Sequence, residues 1–408
     1  MRATLFACAV ACASSNEVEL TFSAPTLIAT GSSAGSYADY GFSLSPTDLL
    51  FQTSARAFVV STVGGESWTD SRVSCAQSLN GVPVSTQPGT LRNYGTVTVV
   101  KNETARYTAF YSNGATAYSL QPSGAFSCAA EAVNISFVGL PLPSSCDKAG
   151  AFGCPFRLGG GGQVTLTDGS LLYSAIVFWG SPDDKGVIPS SIVAYGSTNG
   201  GRTWIYRGTI ADATDFPDSQ EGPNENDISL LSDGSVACVF RLDAGDGPDT
   251  HPFSHYFLRT STDGGRTWSA GALLPTAGSA RPRLRHLGAD GRGGISPAPL
   301  LLTGGRLRDA ALGCDGWDIK LWVSAMGDGN FDEPHSLSYI HNSLAPSQWH
   351  FSAALNDSSA PRQSTSYTSI FELDGGPAPP RTWRRVGVSY NRALVNDSVY
   401  FLAFNVSW

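Results

Sequence analysis

Arginine residues recur at matching places along this sequence. Arg241 ends the apolar run VACVFR, and Arg306 follows the run LLTGG 65 residues further on. A guanidinium group binds a carboxylate through two parallel hydrogen bonds, so a repeated arginine in an acidic protein predicts a site for an anionic ligand. Three more arginines in ARPRLRH share one strand face, where they either add to this site or pair with acidic neighbours: Arg281, Arg283 and Arg285.

Three further polar residues stand where apolar strands begin. Arg157 precedes LGGGGQVTLTDG, Glu225 precedes NDISLLSDG, and Tyr367 precedes TSIFELDGG. First strands of repeated units line a common channel in some folds, so residues at their starts converge although they are far apart in sequence. The alternative interpretations are a strand aromatic for Tyr367 and a solvated turn residue for Glu225.

The elements that would position these residues recur about every 65 residues. The phrase STNGGRTW at residues 197–204 returns as STDGGRTW at residues 261–268. An Asp-Gly hairpin signal at residues 168–169 returns at residues 233–234. Each unit has two apolar strands joined by that hairpin, a third strand that leads into the Trp phrase, and a fourth strand after it. Such a period is typical of repeat architectures.

The Trp phrase itself is predicted to be a structural turn. Its Asn or Asp is expected to accept a backbone N–H bond two residues on, its second Gly to adopt a positive φ, and its Trp to pack between neighbouring sheets. These residues are Asn199, Gly201 and Trp204 in one copy and Asp263, Gly265 and Trp268 in the other. Residues 61–68, STVGGESW, are a degenerate copy.

The repeat predicts an all-β fold. About six units fit between residues 20 and 408, which indicates a six-bladed β-propeller of four-stranded antiparallel blades over residues 18–408. With 45 Gly and 24 Pro among 408 residues, and only 15% charged residues, the chain has many turns and few long solvated helices. Two β-sandwiches that divide near residues 140–155 are the alternative.

The N-terminus predicts passage through the secretory pathway. Residues 1–13, MRATLFACAVACA, have an early Arg, an apolar run and a small-residue cleavage pattern, as in a signal peptide; a buried first strand is the alternative. Six cysteines remain after such a leader, and an even number permits disulfides, with buried thiols as the alternative. Five Asn-X-Ser/Thr sequons agree with a secreted or luminal protein: Asn102, Asn134, Asn356, Asn396 and Asn405.

Charge and motif content exclude several partners. A net charge of −8 and a pI of about 5.2 argue against nucleic acid binding, and no later apolar run is long enough to span a bilayer. The sequence has no cysteine pair with zinc spacing and no complete phosphate-binding loop. We therefore expect neither a metal nor a cofactor.

The Trp phrase fits the pattern S-x-D-x-G-x-T-W, and the chain resembles the sialidase superfamily of six-bladed propellers, which carry this motif as the Asp box. The resemblance implies an exo-α-sialidase-like glycoside hydrolase that removes terminal sialic (nonulosonic) acid with retention, so the implied partners are sialylated or other acidic glycans. The order of candidate residues is similar to the family's order of functional groups: Arg157, Asp183 or Asp184, Glu225, Arg241, Arg306 and Tyr367.

The resemblance also implies a role for each residue. Tyr367 is the nucleophile and Glu225 takes its proton, because an anionic nucleophile would be repelled by the carboxylate on the carbon under attack. Asp183 or Asp184, in the loop WGSPDDKG, protonates the leaving oxygen.

The three arginines of the family hold the sugar carboxylate. Here they correspond to Arg157, Arg241 and Arg306, with Arg308 as the alternative to Arg306. The first apparent blade has no Arg at the matching place, so Arg157 would act from a different blade. The alternative function is a catalytically inactive Asp-box propeller that binds acidic glycans or a protein partner.

Overall fold

The chain is described here by a computed structural model. It covers residues 18–30, 41–43, 49–52, 58–71, 94–100, 104–111, 114–120, 129–133, 136–140, 161–178, 189–242, 256–274, 280–289, 293–305, 308–309, 314–315, 319–345, 367–373, 383–392 and 398–408. Within these ranges the chain is mostly β, as predicted. Residues 1–13 and four of the five sequons lie outside them. The remaining sequon residue, Asn405, is exposed on the last strand.

Among the described residues, six sheets have four or five strands. Strands β1 (Glu19–Phe22) and β2 (Thr26–Thr30) begin the described chain and belong to the last sheet. Sheet I contains β3 (Gly41–Ser43), β4 (Leu49–Gln52), β5 (Phe58–Ser61) and β6 (Thr69–Ser71). Sheet II contains β7 (Tyr94–Val100), β8 (Thr104–Tyr111), β9 (Gly114–Leu120) and β10 (Ala129–Val133). Sheet III contains β11 (Ser136–Val138), β12 (Gln163–Thr165), β13 (Leu171–Phe178), β14 (Ser190–Ser197) and β15 (Thr203–Ala211).

The C-terminal half supplies the other three sheets. Sheet IV contains β16 (Asn224–Leu230), β17 (Val236–Arg241), β18 (Phe257–Ser261) and β19 (Ala272–Leu273). Sheet V contains β20 (Arg283–His286), β21 (Leu300–Gly305), β24 (Ile319–Ser324) and β25 (His335–Ser336), with a small hairpin of β22 (Arg308–Asp309) and β23 (Cys314–Asp315) inserted. Sheet VI contains β26 (Thr368–Glu372), β27 (Trp383–Arg392) and β28 (Ser398–Ser407). The described helices are α1 (Leu337–Leu344) and a 3₁₀ turn (Ala213–Asp215).

Sheets I, II, IV and V have the predicted four antiparallel strands, and the other two sheets differ. In sheet III, β11 adds a fifth strand that runs parallel to β15 at the outer edge. In sheet VI, the C-terminal part of the chain supplies three strands. The N-terminal strands β1 and β2 pair antiparallel with the outer edge of the last of them, β28. The repeat pattern predicts neither addition, because all three added strands come from segments that precede a repeat unit.

Buried apolar side chains fill the spaces between successive sheets. One cluster joins sheets III and IV, another joins IV and V, a third joins V and VI, and a fourth joins VI and I. The order of packing therefore follows the chain and then passes from the C-terminal sheet to the N-terminal sheet. Burial of both faces of sheets IV, V and VI explains why their strands read as nearly continuous apolar runs.

Strand β17 shows this double burial. Its even-numbered residues from Val236 to Phe240 lie in the cluster between sheets III and IV, whereas Ala237 and Val239 lie in the cluster between IV and V. Cys238 is among the first group and is a buried free thiol. Burial raises the pKa of this thiol well above its usual value, so it acts as a small apolar side chain.

The predicted Asp-Gly hairpins are confirmed. At the turn between β12 and β13, Asp168 Oδ1 accepts the N–H of Ser170 at 2.8 Å, and Gly169 has φ +80°. At the turn between β16 and β17, Asp233 Oδ1 accepts the N–H of Ser235 at 2.8 Å. In these two turns the Asp carboxylate accepts a backbone N–H two residues on, and the following Gly adopts a positive φ, so the chain reverses as the sequence indicates.

The Trp phrase is a turn, but its hydrogen bonds differ from the expectation. Asp263 Oδ1 accepts N–H bonds from Arg266 and Thr267, three and four residues on, at 2.9 Å each. Ser261 Oγ accepts the N–H of Gly265 at 2.8 Å. The turn is longer than an Asx turn, so the acidic side chain reaches past the two glycines to the N–H groups that follow them. The expectation of a bond two residues on was wrong.

A further copy of this turn was missed in the sequence. At the end of β24, Ser324 Oγ donates to Asp328 Oδ1 at 2.9 Å and accepts the N–H of Gly329 at 3.1 Å. The segment SAMGDGNF has one extra residue between Ser and the second Gly, and Phe331 replaces Trp. The degenerate copy is confirmed, because Ser61 Oγ accepts the N–H of Gly65 at 2.8 Å.

We expect Gly265→Ala to destabilise the protein by about 2 kcal/mol more than Gly169→Ala. Both glycines have a positive φ, at +88° and +80°. A Cβ at Gly265 would lie 2.8 Å from the buried Leu172, whereas a Cβ at Gly169 has no atom within 4 Å. The difference between the two variants in urea unfolding isolates the steric contribution, and equal losses would contradict it.

The acidic turn residue gives a pH prediction. Four hydrogen bonds from Ser261, Arg266 and Thr267 hold the pKa of Asp263 below its usual 3.8, the backbone bond from Thr267 contributing most. A lowered folded-state pKa stabilises the protein above about pH 4 and loses that effect as the pH falls. We expect the difference in unfolding free energy between the wild type and Asp263→Asn to shrink below about pH 4. Because Asn199 occupies this place in the other copy, the variant keeps the turn, and an advantage independent of pH would contradict the prediction.

Candidate active site

The first strands of the sheets lie side by side. Strands β12, β16, β20, β26 and β3, from sheets III, IV, V, VI and I, contact one another in that order. Glu225 is the second residue of β16, and Tyr367 immediately precedes β26. Both candidate residues therefore stand at the same end of this row of strands, as predicted from their positions at strand starts.

A β-bulge positions Glu225. In the ladder between β16 and β17, Asn224 pairs with Arg241 and Asn226 pairs with Phe240, so Glu225 is an extra residue on its strand. A bulge redirects the side chain of the extra residue, and bulges occur often beside active sites. The sequence carries no clear signal for this bulge.

Tyr367 and Glu225 are joined directly. The Tyr367 hydroxyl donates a hydrogen bond to Glu225 Oε1, across 142 residues of chain. Tyr367 is buried, with 8% of its surface exposed. Burial, and then the negative charge of Glu225, raise the pKa of the Tyr367 phenol well above its usual value near 10. The tyrosine is therefore neutral at ordinary pH and already bonded to a group that can accept its proton.

Arg241 lies between two carboxylates. Its Nη1 donates to Glu225 Oε2 at 2.6 Å, and its Nη2 donates to Glu221 Oε2 at 3.0 Å. Only 7% of the Arg241 side chain is exposed. Burial opposes the charged guanidinium, but Glu225 and Glu221 outweigh it and raise the pKa of Arg241, so it remains positively charged. Arg241 thus orients the base that faces Tyr367.

Glu221 is a site residue that the sequence analysis missed. It lies in the loop before β16, and Asn224 Nδ2 donates to its Oε2 at 3.1 Å. The segment EGPNEN contains a second glutamate four residues before Glu225. Loop residues follow no periodicity, so the sequence does not indicate that this glutamate lies at the site.

The three arginines of ARPRLRH have different surroundings. Arg281 is buried just before β20, and its charge opposes part of the burial-driven rise in the pKa of Tyr367. Arg285 pairs with an acidic neighbour, because its Nε lies 3.0 Å from Glu372 Oε1. Burial raises the pKa of the Asp227 carboxyl, and the positive charge of Arg283 opposes part of that rise. Arg281 is therefore the one whose charge reaches the candidate nucleophile.

Four predicted site residues lie outside the described residues: Arg157, Asp183, Asp184 and Arg306. Their roles in carboxylate binding and in protonation of the leaving oxygen stay predictions. Among the residues that the structure describes, no group of three or more His, Cys, Asp or Glu could hold a metal ion. The same part of the chain contains no helix that is long and apolar enough to cross a membrane.

The described cluster contains the parts of an activated nucleophile. A nucleophile needs a base within hydrogen-bond reach and a third group that orients the base. Tyr367, Glu225 and Arg241 meet this requirement, with side chains drawn from two sheets. The buried setting strengthens each electrostatic interaction, because water screens it less.

Comparison with known proteins agrees with this architecture. No protein-family model matches the chain, and no curated protein matches it. Among solved structures, a protein of unknown function from Dyadobacter fermentans DSM 18053 is 13% identical, with 95% of this chain and 99% of that chain covered and a TM-score of 0.56.

Two other solved structures are glycosidases. An α-L-arabinanase from Penicillium chrysogenum, complexed with arabinobiose, is 15% identical over 93% of this chain and 98% of that chain, with a TM-score of 0.50. A Trypanosoma rangeli sialidase is 13% identical over 94% of this chain, with a TM-score of 0.46, and the match spans 54% of its length. Such identities indicate the fold alone: the chain is similar in fold to the Dyadobacter protein and to the arabinanase, which is a β-propeller glycosidase.

Proposed function

We propose that the protein is an exo-α-sialidase-like glycoside hydrolase that removes terminal sialic (nonulosonic) acid from glycans with retention. The observation that carries the proposal is the hydrogen bond from the buried Tyr367 hydroxyl to Glu225, with Arg241 bonded to the same carboxylate. A buried neutral tyrosine beside a base suits a substrate whose reacting carbon carries a carboxylate. A carboxylate nucleophile would be repelled there, whereas the phenol is not.

The reaction has two steps. Glu225 Oε1 takes the proton of Tyr367, the phenolate oxygen attacks the anomeric carbon, and Asp183 or Asp184 gives a proton to the leaving oxygen. Water then breaks the tyrosyl–sugar bond, so two inversions give net retention. In this proposal Arg157, Arg241 and Arg306 form the arginine set for the sugar carboxylate.

The proposed scaffold is a six-bladed propeller. Its support is the packing order of sheets III, IV, V, VI and I, with sheet II between I and III in the chain. The pairing of β1 and β2 with β28 brings the two ends of the described chain into one sheet, as ring closure requires. A propeller gathers first strands around one channel, which explains how residues 142 positions apart meet.

The proposed setting is the secretory pathway, with acidic glycans as partners. The leader-like residues 1–13 support it. The exposed position of the sequon residue Asn405 on β28 agrees, because a glycan needs an accessible acceptor.

The test is hydrolysis of matched fluorogenic glycosides by the full-length protein. One substrate is an α-sialoside, and the others are an α-L-arabinofuranoside and a β-galactoside with the same aglycone. We expect release from the sialoside only. Release only from a neutral glycoside would overturn the proposed specificity. Binding of sialylated glycans without release would favour the inactive binding propeller instead.

A further inference from the structure

The guanidinium of Arg241 forms ion pairs with two carboxylates. Glu225 occupies Nη1 at 2.6 Å and Glu221 occupies Nη2 at 3.0 Å. Two negative charges against one positive charge give this group of three a net charge of −1. An arriving sugar carboxylate therefore meets a guanidinium that already uses one N–H of each η nitrogen for a glutamate, and these two neighbours repel it.

Of the two carboxylates, Glu221 is on the accessible side. The Glu221 side chain is 27% exposed, compared with 20% for Glu225 and 7% for Arg241. Besides Arg241, Glu225 accepts a bond from Tyr367 and Glu221 accepts one from Asn224 Nδ2. Glu221 is thus the more exposed of the two carboxylates that contact Arg241.

The backbone around Glu221 is built to hold it there. Its carbonyl accepts both the N–H and the Oγ–H of Ser190, each at 2.8 Å, which ties the loop to the start of β14. The next residue, Gly222, has φ +69°, and a Cβ there would lie 2.3 Å from the carbonyl oxygen of Ser190. The Nδ2 of the buried Asn224 lies within hydrogen-bond distance of Gly222 O, Leu242 O and Glu221 Oε2, so its two N–H groups are shared among these acceptors. These contacts hold the loop backbone, from which the Glu221 side chain reaches Arg241.

We propose that Glu221 is an internal competitor that occupies Arg241 in the free protein and sets the affinity of the site for anionic sugars. The inference rests on the proposed function, because it assigns Arg241 to the substrate carboxylate. When the sugar acid binds, its carboxylate takes the Nη2 donor of Arg241, and the Glu221 side chain turns towards solvent. Glu221 acts through Arg241 and takes no part in bond making or breaking.

Glu221→Gln tests this role, because it removes the charge and keeps the shape. We expect N-acetylneuraminic acid to bind the variant about tenfold more tightly than the wild type in calorimetric titration. Its neutral methyl ester should bind both proteins alike. In kinetics, kcat/KM for the α-sialoside should rise by a similar factor, because KM falls.

The matched control is Glu333→Gln, the same chemical change at an exposed glutamate on the loop between β24 and β25. It should bind the acid as the wild type does. Glu221→Ala provides a second variant, and thermal unfolding confirms that each protein is folded. If Glu221 only stabilised the loop, its loss would raise KM or leave it unchanged, whereas competition lowers KM.

The outcomes separate this inference from the proposed function. Equal or weaker binding of the acid by both Glu221 variants would overturn the inference, even if the wild type hydrolyses sialosides. Tighter binding by the variants without any hydrolysis would support the inference and overturn the hydrolase. If no protein binds the acid, both are wrong.

Discussion

Tyr367→Phe should lower turnover of an α-sialoside at least about a thousandfold, because it removes the atom that attacks the sugar. The ring still fills its buried place before β26, and Glu225 keeps its bond to Arg241. The loss of stability should be about 1 kcal/mol, the usual net contribution of one hydrogen bond. Stopped fluorogenic assays and thermal unfolding measure the two effects.

Tyr206→Phe is the control for this substitution. It removes a hydroxyl that bonds Thr209 Oγ1 at 2.9 Å, on β15 of sheet III. It should cost similar stability and leave turnover unchanged. If Tyr367→Phe retained a tenth of wild-type turnover, tyrosine could not be the nucleophile.

Arg241→Met should have the largest effect on stability, at about 3 kcal/mol. Methionine fills much of the buried space, but it leaves Glu221 and Glu225 close together without the cation that now lies between them. Two partly buried like charges repel each other and favour protonation of one carboxylate. Urea unfolding at neutral pH measures the loss.

A double variant identifies the cause. Glu221→Gln in the Arg241→Met background should recover part of the lost stability, because it removes one of the two unpaired charges. Arg259→Met, which removes an ion pair with Asp215 at a more exposed site and a bond to Ile210 O, should cost less. A further loss in the double variant would show that repulsion between the carboxylates is not the cause.

The sequence predicted the repeated elements because their chemistry is local. The Asp-Gly hairpins and the Trp phrase depend on residues within eight positions of one another, so a reader of the sequence can find them. Positions at strand starts then sufficed to select Glu225 and Tyr367, and the structure brings these two together. Arg241 was found by the same repeat.

Other features depend on contacts that leave no local pattern. Glu221 joins the site through a loop held by Ser190 from another sheet, and its spacing repeats nowhere else. The fourth turn at Ser324 differs by one inserted residue and by Phe331 in place of Trp. The N-terminal strands find their partner, β28, at the far end of the chain. Such pairings are decided by packing and not by propensity.

The most direct test of the central claim is to trap the covalent intermediate and locate it by mass spectrometry. A 3-fluorosialosyl fluoride forms the glycosyl-enzyme through its reactive leaving group, and the ring fluorine slows its breakdown. We predict that the wild type acquires one sugar, on the peptide that contains Tyr367, and that Tyr367→Phe acquires none. An adduct on Glu225 or Glu221 instead, or hydrolysis of the α-sialoside with no adduct on the protein, would contradict the tyrosine mechanism.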